Sequence, residues 1–120
     1  MSLLYAEDKL ITQALYKRHF ENHFKSVYTA RNGHQALEIY NIIKPNVVIL
    51  DINMPLINGL EVSRRIRKND QQTRIILLTS RVDKEAFLEA VELDLTTYIE
   101  KPVTKEHLIH SLEALAKLDN

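Results

Sequence analysis

The sequence predicts an α/β domain with a doubly wound parallel five-stranded sheet, helices covering both of its faces, and three observations carry that expectation. Two runs, Val47-Val48-Ile49-Leu50 and Ile75-Ile76-Leu77-Leu78, are apolar without alternation, as suits strands buried on both sides. Strand-like and helix-like stretches then alternate five times along the chain. Finally, the run at 47–50 delivers a lone carboxylate, Asp51, to a loop carrying Pro55 and ending in Gly59. Ligands of open sheets collect beyond the carboxyl ends of the strands, so Asp51 is the first candidate for chemistry.

Leu3 to Ala6 is the first strand, with Glu7 and Asp8 just past its end. From Lys9 to about Phe24, the residues Leu10, Ile11, Ala14, Leu15, Phe20 and Phe24 keep roughly helical spacing and predict the first helix. Ser26 to Ala30 is a partly polar second strand. Gly33 opens a second helix over Gln35 to Lys44, with Ala36, Leu37, Tyr40 and Ile43 on one face and Pro45 at its end. The third strand is Val47 to Asp51. After its loop comes a helix from about Leu60 to Lys68, with Val62 and Ile66 inward and a basic surface of Arg64, Arg65, Arg67 and Lys68. Ile75 to Leu78 is the fourth strand and ends in Thr79-Ser80. Asp83 caps a fourth helix through about Leu93, with Phe87, Leu88 and Val91 on one side. Thr97 to Glu100 is a short fifth strand leading into Lys101-Pro102, and Thr104 caps a last helix bearing Leu108, Ile109, Leu112 and Leu115.

The first, third and fourth strands are nearly all apolar, whereas the second and fifth include Ser26, Thr29, Thr97 and Glu100. Mixed strands belong at edges. With right-handed crossovers, edges at two and five give the spatial order 2-1-3-4-5, that of the flavodoxin-like (βα)5 folds.

Composition sets the outer bounds. The 120 residues fit one domain, 1–120, with 45% hydrophobic and 27% charged residues, as in ordinary soluble proteins. Sixteen basic residues balance sixteen acidic ones, so neither nucleic acid nor a membrane surface is a default partner. The absence of cysteine excludes disulfides, thiolate chemistry and Cys-ligated metals. No apolar run is long enough for a transmembrane helix or signal peptide, and a cytoplasmic address is the expectation.

In this strand order Glu7 and Asp8, Asp51, Thr79 and Lys101 all stand at one end of the sheet. Three crowded carboxylates repel one another unless a cation sits among them. Mg2+ suits the place, since it takes few protein ligands and keeps several waters. Asp8 is then a direct metal ligand, Glu7 binds directly or through water, Asp51 shares the ion, and the backbone carbonyl of Asn53 is a further ligand position. Lys101 and Thr79 offer a positive charge and a hydroxyl to phosphoryl oxygens. Asp51, at the centre, can act as a nucleophile toward phosphorus and form an aspartyl phosphate.

On these residues the chain resembles a response-regulator receiver domain, the phospho-accepting half of two-component signalling, over essentially its whole length. Glu7-Asp8 matches the family's acidic pair, Asp51 its phosphorylation site, and Asp51 to Gly59 its phosphorylation loop. Thr79 matches the hydroxyl switch, Tyr98 the aromatic switch, and Lys101-Pro102 the lysine with its following proline. The resemblance implies transfer of a phosphoryl group to Asp51 from the phosphohistidine of a sensor histidine kinase or histidine phosphotransfer protein, with Mg2+ required. It implies a switch rather than an enzyme, one that catalyses its own phosphorylation and slow dephosphorylation. Thr79 then moves toward the phosphate and Tyr98 turns inward behind it. The face of the fourth helix, fifth strand and fifth helix is where such domains bind partners or form homodimers. Asn53 and Arg81 occupy positions that tune hydrolysis of the acyl phosphate. The chain departs from the family pattern at Ser80, where a smaller residue is common, and at Asp94-Leu95, where Gly-Ala is frequent. Its limits match a stand-alone receiver or one excised from a larger regulator or hybrid kinase.

Two rival functions are open. A pseudo-receiver would bind partners without phosphorylation, against which the retained Asp8, Asp51 and Lys101 argue. An Mg2+-dependent phosphatase of the haloacid dehalogenase type wants a second acid two residues after the nucleophile, and that residue is Asn53. A flavodoxin would need hydroxyls and free amides where the loop after strand one is acidic. The pairs His19/His23 and His107/His110 and the arginines of the third helix read as solvated helix faces.

Overall fold

The computed structural model describes residues 1–79, 96–100, 106–107 and 110–111. Five parallel strands, β1 (Ser2–Ala6), β2 (Ser26–Ala30), β3 (Val47–Asp51), β4 (Arg74–Thr79) and β5 (Thr96–Glu100), form one sheet in the order β2-β1-β3-β4-β5. The three helices described whole are α1 (Leu10–Phe20), α2 (Gly33–Ile43) and α3 (Gly59–Arg67). The expected fourth helix at 83–93 lies outside the described residues. Within the expected last helix, residues 106, 107, 110 and 111 are helical, and His107 and His110 are exposed. Among the described residues no helix is long and apolar enough to cross a membrane.

The unbroken apolar runs have a direct geometric cause. Successive side chains of a strand point to opposite faces, so Leu4, Val48, Leu50, Ile75 and Leu77 enter one core, with residues of α2 and α3. Leu3, Tyr5, Val47, Ile49, Ile76 and Leu78 enter the other, with Phe20 of α1. Every residue of β3 is buried, and each such aliphatic side chain contributes about 1.5–3 kcal/mol of transfer free energy. At the β2 edge only Ala30 is buried.

Two local expectations need correction, the length of the first helix and the exposure of Arg67, and the packing also decides which way the first helix faces. The predicted first helix stops at Phe20, and Phe24 follows a turn in which its N–H still reaches the Phe20 carbonyl (3.0 Å). The aliphatic row that reveals α1 is not the face it buries, since Leu10, Ile11, Ala14 and Leu15 are exposed, Ile11 to 89%. Tyr16 and Phe20 instead pack edge-on against Tyr5, and these large rings decide which way the helix faces. On α3, Arg64, Arg65 and Lys68 are exposed, but Arg67 is buried and its Nη1 donates to the Asp70 carbonyl (3.1 Å).

The starts of α2 and α3 are fixed by asparagine caps: Asn32 Oδ1 accepts from Gln35 N (2.8 Å) and Asn58 Oδ1 from Glu61 N (2.9 Å). Lys44 ends α2 in a left-handed conformation (φ 51°) before Pro45. At the amino-terminal edge of the sheet, Asp70 ties α2 to the α3–β4 loop. Its carboxylate accepts from the Tyr40 phenol, the Thr73 hydroxyl, and the N–H groups of Thr73 (3.0 Å) and Gln72 (2.8 Å). Burial works to raise this carboxyl, but those hydrogen bonds prevail and hold it well below the usual carboxylate range. Tyr40 is pushed up to about 12, first by burial and then by its bond to Asp70, and so remains a donor at neutral pH.

Candidate functional site

The register of the sheet assembles the acidic residues. Ala6 pairs with Leu50, which sets Glu7 and Asp8, immediately after β1, beside Asp51 at the end of β3. Asp51 pairs with Leu78, so Thr79, the last residue of β4, follows at the same edge. One carboxylate oxygen from each of Glu7, Asp8 and Asp51 lies within 4.8 Å of the other two. Glu7 and Asp51 are buried (0% and 2% exposed) and Asp8 is half-buried. Thr79 is buried, Asn53 is exposed, and Tyr98 on β5 is 37% exposed. Lys101 and Arg81, together with Ser80, Asp94, Leu95 and Pro102, lie outside the described residues.

The loop after Asp51 is folded back onto its own strand. Ile52 N donates to the Leu78 carbonyl (3.0 Å), Gly59 N to the Ile52 carbonyl (2.9 Å), and Asn53 N to Asp51 Oδ1 (3.2 Å). The chain has two glycines, and both seat this loop. A Cβ at Gly59 would lie 2.5 Å from the Asp51 carbonyl oxygen and 3.0 Å from Ile52 Cα, and a Cβ at Gly33 would overlap the Ile57 carbonyl. Bare backbone at these positions lets α3 start against Asp51 and α2 start against the loop. Between them Leu56, exposed, is held in the left-handed region (φ 70°), which costs a side-chain-bearing residue about 1–2 kcal/mol.

On the other side of the cluster, Glu7 N continues the β1–β2 ladder to the Ala30 carbonyl (3.0 Å). Gln13 Nε2, reaching in from α1, donates to the carbonyls of Glu7 (3.1 Å) and Ala30 (3.0 Å). Lys9 N donates to Glu7 Oε2 (3.3 Å), and the Tyr5 hydroxyl faces Glu7 Oε1 at 3.5 Å. Burial above all, then the negative charge of Glu7, pushes the Tyr5 phenol far up, so it stays protonated. Tyr5, Gln13 and Gly33 were not legible as site residues. Tyr5 reads as one more apolar strand residue, and Gln13 and Gly33 lie remote from Asp51 in sequence.

The donor set can be tested against a cation. Asp8 Oδ1 is buried and has no hydrogen-bond partner among the described residues. A buried carboxylate oxygen without a donor, on one of three acids that meet within 4.8 Å, is an environment that a hard, oxygen-liganded ion satisfies. The residues present therefore fit Mg2+.

Residues 3–113 match the family model described as the response regulator receiver domain. The chain belongs to that family. This receiver domain is 32% identical over 117 residues to the sensory transduction protein LytT of Oceanobacillus iheyensis, covering 96% of this chain and 48% of LytT. It is 28% identical over 118 residues to the chemotaxis protein CheY of Listeria monocytogenes, covering 98% of this chain and 99% of CheY. It thus spans about half the length of the one relative and nearly all of the other. Among solved structures it resembles the N-terminal domain of an uncharacterized protein from Wolinella succinogenes, with TM-score 0.89, 26% identity and coverage of 99% and 96% of the two chains. It also resembles the chemotaxis response regulator CheY4 of Vibrio cholerae, with TM-score 0.85, 25% identity and coverage of 95% and 97%. Receiver domains are the phospho-acceptor switches of two-component response regulators, so the expected family and the 2-1-3-4-5 fold are both borne out.

Proposed function

We propose that this receiver domain, acting as one unit over residues 1–120, accepts a phosphoryl group on Asp51 from the phosphohistidine of a sensor histidine kinase or histidine phosphotransfer protein. The observation that carries the reading is the meeting of Glu7, Asp8 and Asp51 within 4.8 Å of one another, in a residue set in which Asp8 Oδ1 is buried without a hydrogen-bond partner among the described residues. Glu7, Asp8, Asp51 and the backbone carbonyl of Asn53 would hold Mg2+. When bound, the ion supplies charge neutralisation for the incoming phosphoryl oxygens.

An Asp51 carboxylate oxygen attacks phosphorus, the O–P bond forms, and the P–N bond breaks with its electron pair returning to the imidazole. The Asn53 amide steadies the acceptor through Oδ1. The Gly59 contact fixes the Asp51 backbone, so the nucleophile does not swing with the loop. Thr79 and Lys101 act on the phosphoryl oxygens, the former already at the end of β4. Water later attacks the acyl phosphate and regenerates the carboxylate, at a rate tuned by Asn53 and Arg81. Phosphorylation draws Thr79 toward the phosphate and Tyr98 inward from its partly exposed position. The new conformation changes binding of a partner protein, or of a second copy, at the face that includes β5.

The test is incubation with acetyl phosphate or phosphoramidate and Mg2+, read by intact mass. A phosphate adduct on the wild type, lost in Asp51→Asn, is expected. No adduct with partner binding intact would establish a pseudo-receiver. Continuous turnover of a phosphate ester would establish a phosphatase.

A further inference from the structure

We propose that Tyr5 is a positioning residue for the acidic centre: its buried hydroxyl holds the Glu7 carboxylate in the orientation from which it takes up a divalent cation beside Asp8 and Asp51. The inference rests on the function proposed above and adds to it a residue from inside the sheet.

Tyr5 lies in β1, wholly buried, on the sheet face covered by α1. A buried tyrosine hydroxyl needs an acceptor, and among the described residues the one that meets it is Glu7 Oε1 at 3.5 Å. That distance is long for a hydroxyl donor, but the ring does not turn away. Phe20 packs edge-on at 5.0 Å and 73°, and Tyr16 at 6.4 Å and 87°, so the direction of the C–O bond is set by aromatic packing. The other carboxylate oxygen, Glu7 Oε2, accepts from Lys9 N at 3.3 Å. Each oxygen of Glu7 thus has a donor on fixed structure, and the plane of the carboxylate is defined before any ion arrives.

The chemical choice of donor matters. A carboxylate beside two others gains by rotating away from them, and a hydrogen-bond donor opposes that rotation. A lysine or arginine in the same place would hold Glu7 too, but would cancel part of the charge that attracts the cation. A phenol orients without neutralising. Partners of this kind, hydrogen-bonded to a metal ligand, set its geometry and affinity.

The experiment compares wild type, Tyr5→Phe, Glu7→Gln and the double variant by calorimetric Mg2+ titration, with urea unfolding in EDTA. Tyr5→Phe keeps the ring and its packing. Its Mg2+ dissociation constant is expected to rise about tenfold, the low end for loss of such a partner. At saturating Mg2+ its rate of labelling by acetyl phosphate should stay within about twofold of wild type. In the Glu7→Gln background Tyr5→Phe should cost nothing further. Equal Mg2+ affinity in wild type and Tyr5→Phe, or additive effects in the double variant, would overturn the proposal. So would an affinity loss that merely tracks unfolding of the metal-free protein. A wild type that binds Mg2+ yet gains no phosphate refutes the acceptor function while the same titrations still decide the role of Tyr5. A wild type that binds no Mg2+ refutes both.

Discussion

Asp8→Asn should make the metal-free protein more stable, although the residue belongs to the site. In wild type the Asp8 carboxylate faces those of Glu7 and Asp51 within 4.8 Å, and its Oδ1 has no compensating donor among the described residues. At 4.8 Å a like-charge pair costs about 3.5 kcal/mol for an effective dielectric of 20 and about 0.9 kcal/mol in water. Asp8 is half-buried, and screening brings each pair to about 1 kcal/mol, so removing two pairs stabilises by about 2 kcal/mol. Urea unfolding in EDTA should then show a midpoint higher by about 1 M. In Mg2+ at a hundredfold excess over its dissociation constant, wild type gains about 2.7 kcal/mol and draws level with or passes the variant, which gains little. The EDTA difference should also shrink in high salt. An Asp8→Asn protein that unfolds in EDTA at the wild-type urea concentration or below it, and gains as much from Mg2+, would refute the reasoning.

Three more outcomes are expected. Gly59→Ala places a Cβ 2.5 Å from the Asp51 carbonyl, and should destabilise by about 2–3 kcal/mol in urea titration while slowing phosphorylation. Asp70→Asn should lose about 1.5–3 kcal/mol at pH 7. Because the folded carboxyl lies below its unfolded value, the wild-type term is complete above about pH 4 and fades as pH falls toward the folded pKa, so the variant's acid-unfolding profile should be flatter there. Ile11→Ser, on the exposed row of α1, should change stability by less than about 0.5 kcal/mol, and a larger loss would show that row to be buried.

Strands buried on both faces write themselves into the chain, because alternate residues of Val47–Leu50 serve two different cores and both demand apolar side chains. The mixed runs at β2 and β5 marked the edges for the converse reason. Helical spacing in α1 showed the period but not the direction. Leu10, Ile11, Ala14 and Leu15 repeat properly, yet the rings of Tyr16 and Phe20 dock on Tyr5 and turn that row outward. Arg67 likewise reads as one more surface charge until Asp70, with its links to Tyr40 and Thr73, gives it a part-buried carbonyl to bind.

For the site, the residue types and their places at strand ends were legible in the sequence: acids after β1 and β3 and a hydroxyl at the end of β4 are local features of the chain. What the tertiary structure alone decided is how those groups are held. The 4.8 Å meeting of Glu7, Asp8 and Asp51, the backbone contact at Gly59 and the hydroxyl of Tyr5 against Glu7 arise from packing. Such contacts depend on which face of each element is turned inward, and that is set by the three-dimensional fit of side chains rather than by their order along the chain.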